Sequence, residues 1–198
     1  MAMKKNKEQE PRERRRDYPC IPNSFFKQEY ELLHAREYLE TFAYALVSFS
    51  IPFLFLHEQL FVGTAVNAAL ILAALNVRGM RLLPIIVLPS LALLIGGVAF
   101  GTDTSFLVRM MPFIWLGNAA LVWSIKEFYL EKKKSKWVSL GIGATAKAGF
   151  LFASAFALFS FGFLPVIFLT SMGIYQFATA ITGGIVAFGI QEAKKKFA

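Results

Sequence analysis

Nineteen of the 21 Lys and Arg residues in this chain fall in alternate connections between its apolar stretches. Lys4, Lys5, Lys7, Arg12, Arg14, Arg15, Arg16, Lys27 and Arg36 precede the first stretch. Arg78 and Arg81 lie between the second and third. Lys126, Lys132, Lys133, Lys134 and Lys136 lie between the fourth and fifth, and Lys194, Lys195 and Lys196 follow the sixth. The connections around Glu58, Asp103 and Gly162 carry none. Cytoplasmic loops retain Lys and Arg during insertion. The pattern therefore predicts an all-α integral membrane bundle of six transmembrane helices with both termini in the cytoplasm. A soluble chain has no reason to place its bases in every second connection.

Length allows little else. Six helices of about 20 residues take up roughly 120 positions. In 198 residues that are 56% hydrophobic, this leaves a tail and short loops. The expected spans are 38–56, 60–77, 82–100, 106–125, 137–160 and 164–190. The last is over-long for a bilayer, so it tilts or emerges near Gln191. The domain division is a basic cytoplasmic tail, 1–37, and a six-helix transmembrane domain, 38–198.

Residues 1–23 are charged and broken by Pro11, Pro19 and Pro22, a composition that predicts disorder. From Ser24, an N-cap residue type, Phe25, Phe26, Tyr30, Leu33 and Tyr38 alternate with charged positions. That mixture reads either as an amphipathic helix at the inner interface or as a polar extension of the first span. The start lacks the apolar run of a cleaved signal, so the first span acts as its own signal. The net charge of +8 would suggest nucleic acid in a soluble protein. Here retention of basic loops and the anionic inner leaflet account for it, and no nucleic-acid partner is expected. The lone Cys20 excludes an internal disulfide and any multi-cysteine cluster.

Small residues recur every fourth position on three spans: Gly141, Thr145, Gly149, Ala153 and Ala157 on the fifth, Ala65, Ala69 and Ala73 on the second, and Thr179, Gly183 and Ala187 on the sixth. Such stripes let backbones approach closely where lipid supplies no hydrophobic drive. Packing inside the bundle is the expected use, and docking of another membrane protein is the alternative.

Polar residues in the hydrocarbon need a reason. Asn67, Ser90, Asn118, Lys147 and Gln176 fall near the middle of five different spans. Thr64 is one turn outward of Asn67, and Arg109 is one turn in from the outer end of the fourth span. Groups on five helices at one depth are what a pocket with apolar walls and a few polar anchors requires. Lys147 is the most informative. A lysine at mid-membrane costs about 2.5–3.5 kcal/mol on insertion scales, and it lies roughly 15 Å from the inner end, too far to snorkel. It must face an acceptor such as Asn118 or Gln176, or an anion on a ligand. Arg109 reaches headgroups or guards a pocket mouth. The amides serve as interhelical glue or as ligand contacts.

Several chemistries are excluded. The run Gly141 to Lys147 lacks the Gly-Lys-Ser/Thr ending of a phosphate loop. His34 and His57 are expected on opposite sides, so they cannot form a metal pair. No Ser–His–acid set is present in the spans. Enzymatic activity, a metal and a cofactor are therefore not expected.

The strings Gln59-Leu60, Gly63-Thr64, Asn67-Ala68, Leu88-Pro89-Ser90, Met111-Pro112-Phe113-Ile114, Gly117-Asn118, Lys147, Gln176, Thr179-Ala180 and Gly183-Gly184 resemble a family of small bacterial six-span membrane proteins often labelled "iron hydrogenase". The resemblance covers residues 59–188. Hydrogen activation needs several thiolates, which a single cysteine does not supply. The family is similar in architecture to the substrate-binding S-components of energy-coupling-factor transporters. That likeness implies a subunit in the bacterial inner membrane for uptake of a small polar or anionic solute. It would be held by Thr64, Asn67, Arg109, Asn118, Lys147 and Gln176, and surrounded by lipid. A separate membrane coupling protein with ATPase subunits would drive transport. The alternative is an accessory or assembly protein of a membrane redox complex, without catalysis of its own.

Overall fold

A helix that is apolar on every side belongs at the centre of a bundle, and the second apolar stretch occupies that place. The computed structural model describes residues 23–28, 34–55, 58–99 and 104–197. The long helices are α1 (His34–Leu54), α2 (Gln59–Asn76), α3 (Leu82–Ala99), α4 (Ser105–Ser124) and α5 (Lys136–Ser160). A short α6 (Ile167–Met172) leads into α7 (Ile174–Phe197). From Val66 to Asn76 every side chain of α2 is buried, because α1, α3, α4 and α7 all pack on it. The described residues are all-helical, without strands. Among the described residues, five stretches are long and apolar enough to cross a membrane, consistent with a multi-pass membrane protein. The first helix is long enough too, but Glu37 and Glu40 fall in its opening turns.

The outer surface of the bundle is apolar. Leu39, Phe42, Val98 and Phe161 are each at least two-thirds exposed. The main core lies around α2 and the neighbouring parts of α3 and α4. A smaller one, of Met110, Leu151, Ala155, Leu164 and Met172, fills the end away from the lysines.

The chain breaks where its residues dictate. After Asn76 the backbone turns extended at Val77 and Arg78, and Gly79 takes φ +59, a left-handed conformation that glycine adopts without strain. Gly162 (φ +74) makes the corresponding turn after α5. The sixth apolar stretch is divided rather than simply long: α6 ends at Gly173, where a Cβ would lie 2.8 Å from Leu169 O and 3.0 Å from the Phe152 ring. α4 runs on through seven residues of π-helix, Ile125–Glu131, so the fourth stretch extends well past 125. Of residues 24–37, the described parts are a 3₁₀ turn at Asn23–Phe26 and the first turn of α1. Residues 1–22, His57 and Asp103 lie outside the described residues.

One packing expectation is corrected. The stripe on α5 does not face the bundle: Thr145, Gly149, Ala153 and Ala157 are exposed, and a Cβ on Gly141 or Gly149 would meet nothing within 4 Å. The buried face of α5 is Ser139, Leu140, Gly143, Ala144, Lys147, Ala148, Leu151 and Ala155. The stripe on α7 does pack inward. A Cβ on Gly183 would lie 2.7 Å from Thr64 O and 2.9 Å from Ala68 N, so α2 and α7 meet backbone to backbone.

Candidate functional site

The close approach of α2 and α7 brings polar groups of both helices against α5. Lys147, 3% exposed, donates from Nζ to Asn67 Oδ1 at 2.6 Å. Asn67, fully buried, donates from Nδ2 to Thr179 Oγ1 at 3.1 Å. Thr179 Oγ1 donates in turn to Tyr175 O, one turn back on α7 (2.8 Å). A single chain of hydrogen bonds thus ties α5, α2 and α7 together at Lys147. An ammonium has three N–H donors. Among the described residues Lys147 engages one acceptor, and that acceptor is a neutral amide.

The other expected residues are distributed around this chain. Thr64 shares a hydrogen bond with Thr182 Oγ1 (2.9 Å) on the α2–α7 seam. Gln176 is half-buried one turn from Thr179, and its side-chain amide makes no hydrogen bond among the described residues. Asn118 is brought elsewhere. It donates to Ile86 O (3.0 Å) on α3, next to Ile85, whose carbonyl loses its helical donor because Pro89 has no N–H. Ser90 accepts from Trp115 Nε1 at 2.6 Å, a second tie between α3 and α4. Arg109 is exposed and donates to Phe163 O (2.7 Å). Its guanidinium lies over the Phe106 and Phe163 rings, so it clamps the turn after α5. The five mid-span groups therefore divide: Lys147 bonds Asn67, Gln176 lies one turn from Thr179 on α7, and Ser90 and Asn118 take part in separate ties between α3 and α4. Lys147 finds Asn67 as its acceptor rather than Asn118 or Gln176.

A denser polar layer lies at the end of the bundle that carries the basic residues. Lys126, fully buried on the π-helix, donates to Lys27 O (2.6 Å) and Val77 O (2.8 Å). Glu37, 1% exposed, pairs with Arg81 (2.6 Å) and Arg78 (3.5 Å) and accepts from Arg78 N (3.2 Å). Asn76 and Gln191 exchange two amide hydrogen bonds of 3.0 Å, joining α2 to α7. Lys194 bonds Glu40 at 2.9 Å and reaches Tyr44 Oη. Reading by depth overlooked this layer because it sits where the spans end and solvated charges are the default. The available signal was a glutamate in the first turns of an apolar helix, opposite two arginines.

No metal-binding group of His, Cys, Asp and Glu is present among the described residues. An open cavity of about 330 Å³ lies at the basic end, lined by Gln28, Tyr129, Leu130, Lys133 and Lys134. Compared with protein-family models, curated proteins and solved structures, the chain matches none.

Proposed function

We propose that this chain is a six-span protein of the bacterial inner membrane, with both termini in the cytoplasm, that captures a small polar or anionic solute at Lys147. One observation carries the reading: a buried ammonium whose sole acceptor among the described residues is a neutral amide oxygen. Charges held in low-polarity surroundings are paired or fully hydrogen-bonded unless function needs them otherwise. An anionic group on a solute would accept the two remaining N–H donors. Asn67, locked by Thr179, would hold the amine in place, and the half-buried Gln176 amide would orient the solute from α7. Asn118 and Arg109 serve the scaffold on this reading, since each is bonded to a backbone carbonyl. As in S-components, uptake would depend on a separate coupling module with its ATPase, because no nucleotide-binding sequence is present in the chain.

The test is retention of a small molecule by the chain purified in mild detergent, followed by native mass spectrometry. A bound solute lost by at least tenfold in Lys147→Met supports capture at this amine. Equal retention by Lys147→Met removes the mechanism.

A second reading, an accessory or assembly protein of a membrane redox complex, draws on the outward α5 stripe of Gly141, Thr145, Gly149, Ala153 and Ala157. Bulky side chains there, such as Gly149→Leu, would then abolish co-purification with redox subunits while leaving any solute retention unchanged.

A further inference from the structure

We infer that the cavity at the basic end is a site for a phosphate ester, occupied by the headgroup of an anionic inner-leaflet phospholipid. The inference rests on the proposed orientation, with this end in the cytoplasmic leaflet, and not on solute capture at Lys147. The cavity is open to the surface, and hydrogen bonds and ion pairs fix the segments around it. Lys126 pins the Lys27 carbonyl to the π-helix from below, and Lys27 Nζ pairs with Glu131 at 2.5 Å. Gln28 donates from Nε2 to Asn76 O (2.7 Å), and its own amide oxygen is buried, so it presents no negative surface to the space. Tyr129 stands against Phe188 of α7.

Among the described residues the charge around the cavity is one-sided. Of the nearby carboxylates, Glu127 is paired with Lys132 (3.2 Å) and Glu131 with Lys27. Lys136 is paired with Glu192. Lys133 and Lys134 both line the cavity, and neither has a carboxylate partner among the described residues. Lys133 moreover holds φ +51, the one left-handed non-glycine residue among those described. This conformation is costly for a lysine and recurs at ligand clamps. Two ammoniums without a carboxylate partner among the described residues, one of them over the Phe128 ring, suit a phosphoryl group at this open cavity. At the inner face of a bundle, such basic pockets take lipid headgroups. The exposed Trp123 and Trp137 flank the same end, at the level where indoles sit among headgroups.

The experiment is a native mass-spectrometric titration of the full chain in mild detergent with phosphatidylglycerol, phosphatidylcholine and glycerol 3-phosphate. Phosphatidylglycerol is expected to bind most tightly, and the double variant Lys133→Ala/Lys134→Ala to bind it about tenfold more weakly or worse. The control Lys132→Ala/Lys136→Ala removes the same charge from lysines that already have partners, and is expected to stay within about threefold of the parent. Equal losses in both double variants, or a loss in neither, overturn the site. Glycerol 3-phosphate binding as tightly as the lipid would retain phosphate recognition but overturn the lipid as its source. Lys147→Met leaves this titration unchanged, so failure here and failure of solute capture are read separately.

Discussion

Lys126 and Lys147 are both withdrawn from solvent, yet they are accommodated in different ways. Lys126 sits where spans end, and two backbone carbonyls from distant parts of the chain converge on its ammonium. It ties the 3₁₀ segment before α1, the end of α2 and the π-helix into one layer. Lys147 sits eleven residues inside α5 and meets one side-chain oxygen. The first lysine is spent on the fold; the second keeps donors in reserve. The comparison teaches that burial alone does not distinguish a lysine whose donors are largely satisfied from one with donors left over. What distinguishes them is how completely the protein satisfies each donor.

Substitutions sharpen or break this contrast. The largest effect is expected from Asn67→Leu, which strips Lys147 of its acceptor and leaves an uncompensated buried charge. The loss should be about 3–4 kcal/mol, measured by denaturant unfolding in detergent, and adding Lys147→Met should recover most of it. An additive double variant would show that the two residues are not coupled. Next comes Lys126→Met. It orphans the Lys27 and Val77 carbonyls, and at about 1–3 kcal/mol per buried unpaired group the net loss should be near 3 kcal/mol. Parent-like stability would mean that Lys126 holds nothing together. The smallest change, and of opposite sign, is expected for Lys147→Met. Removing the amine relieves about 2.5–3.5 kcal/mol of insertion cost and orphans only Asn67 Oδ1. The protein should gain about 1 kcal/mol. A loss as large as that of Lys126→Met would make the two lysines equivalent and erase the comparison.

Much of the architecture was legible in the order of residues. Apolar runs of span length marked the helical stretches and Gly162 marked a turn, because the geometry of a helix and the needs of its backbone are local, but the break at Gly173 that divides the sixth stretch was not marked. Asn67 and Lys147 were marked by their depth alone. The facing of α5 was misread, although the information to correct it was at hand. Residues two apart on a helix point roughly 200° from each other. Once Lys147 faces inward, Thr145 and Gly149 must face outward, so the lysine orients the helix more strongly than the stripe does.

Local pattern, then, established the apolar stretches that form most of the helices and which groups are costly to bury. It had no means of saying which partner each group meets. Asn67 with Thr179, Asn76 with Gln191 and Lys126 with Lys27 are separated by 99 to 115 residues. Their pairing follows from the close seam that Gly183 permits between α2 and α7 and from the way the segment before α1 folds under the π-helix. Hydrogen bonds act over about 3 Å, so their choice of partner belongs to the packed bundle and not to the order of its residues.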